Sequence, residues 1–172
     1  VASRGLGDVY KRQGYNVSIG KGAFSKGASS IAIGENSKSQ DYSIAIGDGA
    51  EAKNRHSVAM GFGAIANNLS SVAIGFGAES FNEFSVSVGR SSKAGYNSVA
   101  IGDMAKADKN KGFAVAVGND ANSGYVSTAV GYNANASGDF SSALGANTIA
   151  RGIVSNALGY RSKAVKDGAT AI

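Results

Sequence analysis

His56 is the single histidine of the 172-residue chain, and cysteine is absent. One imidazole cannot supply a His-based nucleophile triad or a His-rich metal site within one chain. It stands beside Arg55 in the polar stretch Lys53-Asn54-Arg55-His56, where a solvated turn residue is the expected role. Glu79 and Glu83 are four apart, but in an extended context that spacing does not bring them together. No acidic pair recurs at a spacing suited to general acid–base work. Gly61-Phe62-Gly63 and Gly75-Phe76-Gly77 lack the longer glycine pattern that opens a helix under a dinucleotide, and they read as turns. The nine-residue calcium-binding repeat is also missing. We therefore expect no catalytic, metal or cofactor residues, and assign none.

What remains is non-covalent contact chemistry. Phe62 and Phe76 are 14 residues apart, and Tyr132 and Tyr160 hold the equivalent position further along. With Arg55, Lys109 and Lys111 they form the candidate set for touching a partner protein. The competing reading gives the aromatics to corner packing and interchain contact.

These side chains are positioned by a repeat. The phrase Ser71-Val72-Ala73-Ile74-Gly75 recurs with its closing glycine at Gly20, Gly34, Gly47, Gly61, Gly75, Gly89, Gly102, Gly118, Gly131, Gly145 and Gly159. A short fixed period decides the fold before any other feature does. Position one is nearly always Ser. Position two is β-branched through Val115 and then polar at Thr128, Ser142 and Asn156. Position three is Ala or Ser, and position four is always a larger aliphatic side chain. After each glycine comes a second alternation, as in Ala50-Glu51-Ala52, with one small face and one wet face. Period-two alternation is the mark of a strand, so each repeat holds two short strands joined at the glycine by a sharp turn.

Changes in repeat length fall at one corner, between the second strand and the next phrase; Asp108 to Phe113 is the longest version. Confining insertions there implies strands stacked in register. The expected fold is all-β, a single-chain parallel β-roll of about eleven 14-residue coils, roughly 50 Å long at ~4.8 Å per coil. For its interior we expect positions two and four to point inward against the small residues of the second strand, as a sheet separation near ~10 Å allows. Positions one and three would then form a flat Ser/Ala face outside. The opposite assignment makes the interior almost pure Ala, and the polar Thr128, Ser142 and Asn156 favour it. Either way little core is enclosed for the backbone entropy spent, which points to a homo-oligomer.

The formal net charge is +5. Residues 1–13 contribute Arg4, Lys11 and Arg12 against Asp8. The rest of the excess is spread without a basic block, which argues against a nucleic-acid partner. No apolar run is long enough to span a bilayer as a helix. Residues 1–13 do not fit the repeat, and Asp8 to Gln13 reads as a one-frame translation of a transposase end sequence. They are expected to be a sequencing scar, or else a disordered lead-in, ahead of a repeat domain at 14–172 that is cut at both ends.

Asn97-Ser98-Val99-Ala100-Ile101-Gly102-Asp103-Met104-Ala105-Lys106-Ala107 resembles the head repeat of trimeric autotransporter adhesins, the YadA-like head, and eleven in-phase copies extend the likeness over residues 14–172. The resemblance implies a left-handed roll, three chains side by side, and a place on the outer surface of a Gram-negative bacterium. It also implies adhesion to host extracellular matrix or cells, or to other bacteria, with membrane attachment only through a C-terminal anchor not present in these residues. A structural spacer or fibre segment with its binding tip elsewhere is the alternative. An acyltransferase built on a hexapeptide β-helix would need coils near 18 residues, and an ice-binding solenoid would need a regular Thr-x-Thr rank.

Overall fold

A computed structural model describes residues 15–108, 110 and 112–172; the 1–13 lead-in, Lys109 and Lys111 lie outside the described residues. Each repeat gives one three-residue strand, such as Val72–Ile74, and one two-residue strand, such as Glu79–Ser80. The first kind stack into a 12-stranded parallel sheet and the second into an 11-stranded one, both in sequence order. The chain is thus a solenoid of about eleven coils. Backbone groups find their partners in neighbouring coils: Val72 N donates to Ser85 O at 2.8 Å, and Gly75 N to Met60 O at 2.8 Å. This consumes the donors and acceptors that an isolated two-strand coil would leave open.

Register follows repeat position and ignores repeat length. Val86 pairs with Val99 across a short repeat, and Val99 with Val115 across the longest one. The variable corner absorbs the difference, as its confined insertions predict.

The interior is the reverse of the expected one. Positions one and three point inward: Ser71 and Ala73 are completely buried, as are Ser43, Ala45, Ser57 and Ala59. Position two is half-buried and position four still more open, with Ile101 41 % exposed. The small residues of the second strand close the core, which contains nothing larger than Thr148. The physical reason is sheet spacing. Ser87 Oγ reaches across the roll to donate to Glu79 O at 2.9 Å, so a single hydroxymethyl bridges the two layers. The ~10 Å separation of ordinary stacked sheets suits larger side chains; a coil with strands of three and two residues closes more tightly and admits only Ala, Ser and Thr. Thr128, Ser142 and Asn156 cease to be anomalous, because position two lies outside.

The preference for Ser at position one also has a local cause. Ser71 Oγ donates to Asn68 O at 2.6 Å, Ser43 Oγ to Gln40 O at 2.7 Å, and Ser155 Oγ to Gly152 O at 2.7 Å. A buried hydroxyl therefore ties down the carbonyl three residues earlier and closes the variable corner, which also satisfies the hydroxyl's own need for a partner.

Candidate functional site

Two outward faces and two corners are available for contact. The outer face of the three-residue strands is apolar: Val72 and Ile74 repeat coil by coil as Val86 and Val88, then Val99 and Ile101. Large apolar patches on a protein surface mark contact with other molecules. Toward the end of the chain the inner column of that face turns polar, at Thr128, Ser142 and Asn156, which are stacked partners.

The outer face of the two-residue strands is polar. Lys38 and Glu51 are stacked partners whose side chains meet at 2.9 Å, and Lys53 reaches the other carboxylate oxygen of Glu51 at 3.1 Å. The hydrogen bond from Lys38 is the main reason that the Glu51 carboxyl is held below its ordinary range, against partial desolvation; Lys53 adds to the lowering. Glu79 and Lys93 pair one coil apart at 3.8 Å, and at the glycine corner Arg90 meets Asp103 at 2.6 Å.

The glycine corner carries the predicted aromatics. Phe62 and Phe76 stack with centroids 5.3 Å apart and rings 8° from parallel, as their equivalent positions predict, and both are more than half exposed. Tyr132 and Tyr160 occupy the same row and are also exposed. Arg55 is not with them. It lies at the variable corner, its guanidinium 5.4 Å from the Tyr42 ring, which also meets His56 at 5.6 Å. The cation that follows Phe76 in its own row is Arg90, engaged with Asp103. Lys109 and Lys111 lie outside the described residues.

Sequence reasoning missed a second feature. Asn133, Asn135, Asn147, Ile149, Arg151, Arg161 and Lys163 line a groove of about 490 Å³ on the polar face of the last coils. Its signal was available: Asn133, Asn147 and Arg161 all stand two residues after a repeat glycine, and Asn135, Ile149 and Lys163 four after.

Stacked two-strand coils, a core of small side chains and long repeated faces define a scaffold that works by surface contact. The chain belongs to the YadA head domain repeat family: the two-copy family model matches residues 25–50, 39–64, 52–78, 66–92, 94–121, 123–148 and 155–172. It is an adhesin-type head. Among solved structures, the collagen-binding domain of the Yersinia adhesin YadA is similar, with 24% identity and a TM-score of 0.47 over 91% of this chain and 79% of that one. No curated protein sequence matches the chain.

Proposed function

We propose that this chain is the head of a bacterial cell-surface adhesin that attaches the cell to host extracellular matrix or host cells, or to other bacteria. The observation that carries the reading is the family repeat, matched in seven windows between residues 25 and 172. In this reading three chains associate through the apolar outer face, which holds the largest aliphatic side chains of every coil, while the polar face and the glycine corner stay in water. A second chain covering Val72, Ile74 and their equivalents removes apolar area that one coil's own Ala and Ser core cannot supply. Many weak repeated contacts on three parallel chains then add up through avidity. The collagen-binding relative makes fibrous matrix protein the first ligand to try.

The test is a solid-phase assay in which the assembled protein is offered collagen, mixed extracellular matrix and a plain albumin surface. Saturable binding to matrix and none to albumin supports the proposal. Equal, non-saturable retention on all three would move the reading to a structural spacer whose binding tip lies elsewhere.

A further inference from the structure

The basic groove of the last coils differs from the rest of the polar face in its charge balance. Earlier on this face Lys38 and Lys53 both meet Glu51, and Lys93 meets Glu79 of the preceding coil. In the groove Arg151, Arg161 and Lys163 come together, and among the described residues no carboxylate pairs with any of them. Asp167 stands nearby in sequence, but its Oδ1 accepts from Ile153 N at 2.8 Å. Three neighbouring cations left without counter-charge attract an anion.

The rest of the lining narrows the anion's class. Asn133, Asn135 and Asn147 supply carboxamides, with Asn133 Nδ2 donating to Asn147 Oδ1 at 3.0 Å, and amides serve hydroxyl groups as donor and acceptor. Tyr160 adjoins the groove with the Arg161 guanidinium 4.9 Å from its ring centroid. Tyr132 projects from the same row two coils away, with only Ala146 between. Arg161 has a φ of 61°, in a row that elsewhere holds mainly Gly, Asn, Ser and Asp. Such a conformation disfavours a long side chain, so a guanidinium there costs backbone strain.

We propose that this groove binds a segment of sulfated glycan laid across the last coils. The cations lie on two adjacent coils, one step of ~4.8 Å along the axis, and spread across the strand direction from the second to the sixth residue after the repeat glycine. A ligand that satisfies all three must carry several oxyanions in that span, as sulfated sugars do and singly carboxylated disaccharides do not. Arg151 and Arg161 match the planar oxyanion edge, Lys163 acts as a point charge, and the asparagines meet ring hydroxyls. The proposal deepens the attachment reading and rests on it.

The experiment is titration of the intact chain with a heparin tetrasaccharide, a hyaluronan tetrasaccharide and a short single-stranded oligonucleotide. Heparin binding is expected to weaken with added salt and to fall about tenfold or more in the Arg151→Gln/Arg161→Gln/Lys163→Gln variant. Lys38→Gln should leave it unchanged. Arg161→Asn should weaken binding while leaving the fold as stable or more so, because Asn tolerates the left-handed backbone better than Arg. Absence of heparin binding, an equal response to hyaluronan or to the oligonucleotide, or equal binding by the triple variant would overturn the assignment. If wild type and triple variant adhere to matrix alike while neither binds heparin, the groove assignment falls and the attachment reading stands.

Discussion

Gly61 and Gly63 offer a matched pair of perturbations two residues apart. Both have positive φ, 128° and 60°. A Cβ built on Gly61 would sit 2.5 Å from Gly75 O and 2.7 Å from Gly75 C, whereas one on Gly63 meets nothing within 4 Å. Gly75 cannot retreat cheaply, because its N–H donates to Met60 O at 2.8 Å and its neighbours are locked into the same ladder. For Gly63→Ala only the backbone term remains, about 1 kcal/mol. For Gly61→Ala a larger strain at a φ that side chains rarely adopt adds to a backbone overlap, together roughly 3–6 kcal/mol. At ~2–4 °C per kcal/mol for a chain of this size, Gly63→Ala should lower Tm by a few degrees and Gly61→Ala by on the order of 10 °C. Thermal unfolding followed by far-UV circular dichroism, with hydrogen exchange at Val72–Gly75 as the local readout, measures both. Equal losses, or a larger loss at Gly63, would refute the reasoning that coil-to-coil contact at the glycine corner limits what this position can hold.

Other substitutions address the remaining layers. Ala73→Val should cost about 1–3 kcal/mol or more in thermal unfolding, because the buried site has no room between closely spaced sheets; Val72→Ala should cost the isolated chain little. Glu51→Gln should lower Tm slightly at neutral pH, by no more than ~1 kcal/mol for an exposed ion pair. Since the folded carboxyl titrates below its unfolded value, that stabilisation is present above the ordinary carboxylate range and vanishes as pH falls through the lowered value; a Tm gap that persists in acid would contradict the pairing with Lys38 and Lys53. Phe62→Ser/Phe76→Ser should weaken attachment with the assembly retained if the stacked rings touch a ligand; loss of assembly would assign them to packing.

The coil count, the two strands per coil and the in-register stacking were legible because glycine spacing and period-two alternation are set by backbone geometry, which one sequence displays directly. The inward direction was not. Alternation separates two faces without saying which is inside, and the usual rule that large aliphatics are buried misled: Ile74 is 37 % exposed and Ala73 fully buried. That rule assumes one chain closes its own core. The left-handed backbone two residues after each repeat glycine can be read from Gly49, Gly63, Asn133 and Asn147, residues that accept it readily. The second left-handed row, just before position one, holds Asn97 and His56 but mostly residues such as Tyr42, Phe84, Phe113, Val126, Phe140 and Val154, whose types give no such signal. The groove was legible only in part: the repeat positions align Asn133, Asn147 and Arg161, but Arg151 reaches Arg161 and Lys163 only when coils stack.

The apolar outer face is expected to be a contact between copies of the chain. Sedimentation equilibrium of the wild type and of Ile74→Asp/Ile101→Asp measures this directly. Each isoleucine keeps about two-fifths of its surface open in the single chain, so one side chain lost from the contact forfeits roughly 1 kcal/mol, and three chains multiply that at each layer before the carboxylates' mutual repulsion is added. The predicted result is three times the 17.2 kDa chain mass for the wild type and a shift toward the single-chain mass for the variant. A wild type that sediments as one chain, or a variant that stays assembled, would contradict it.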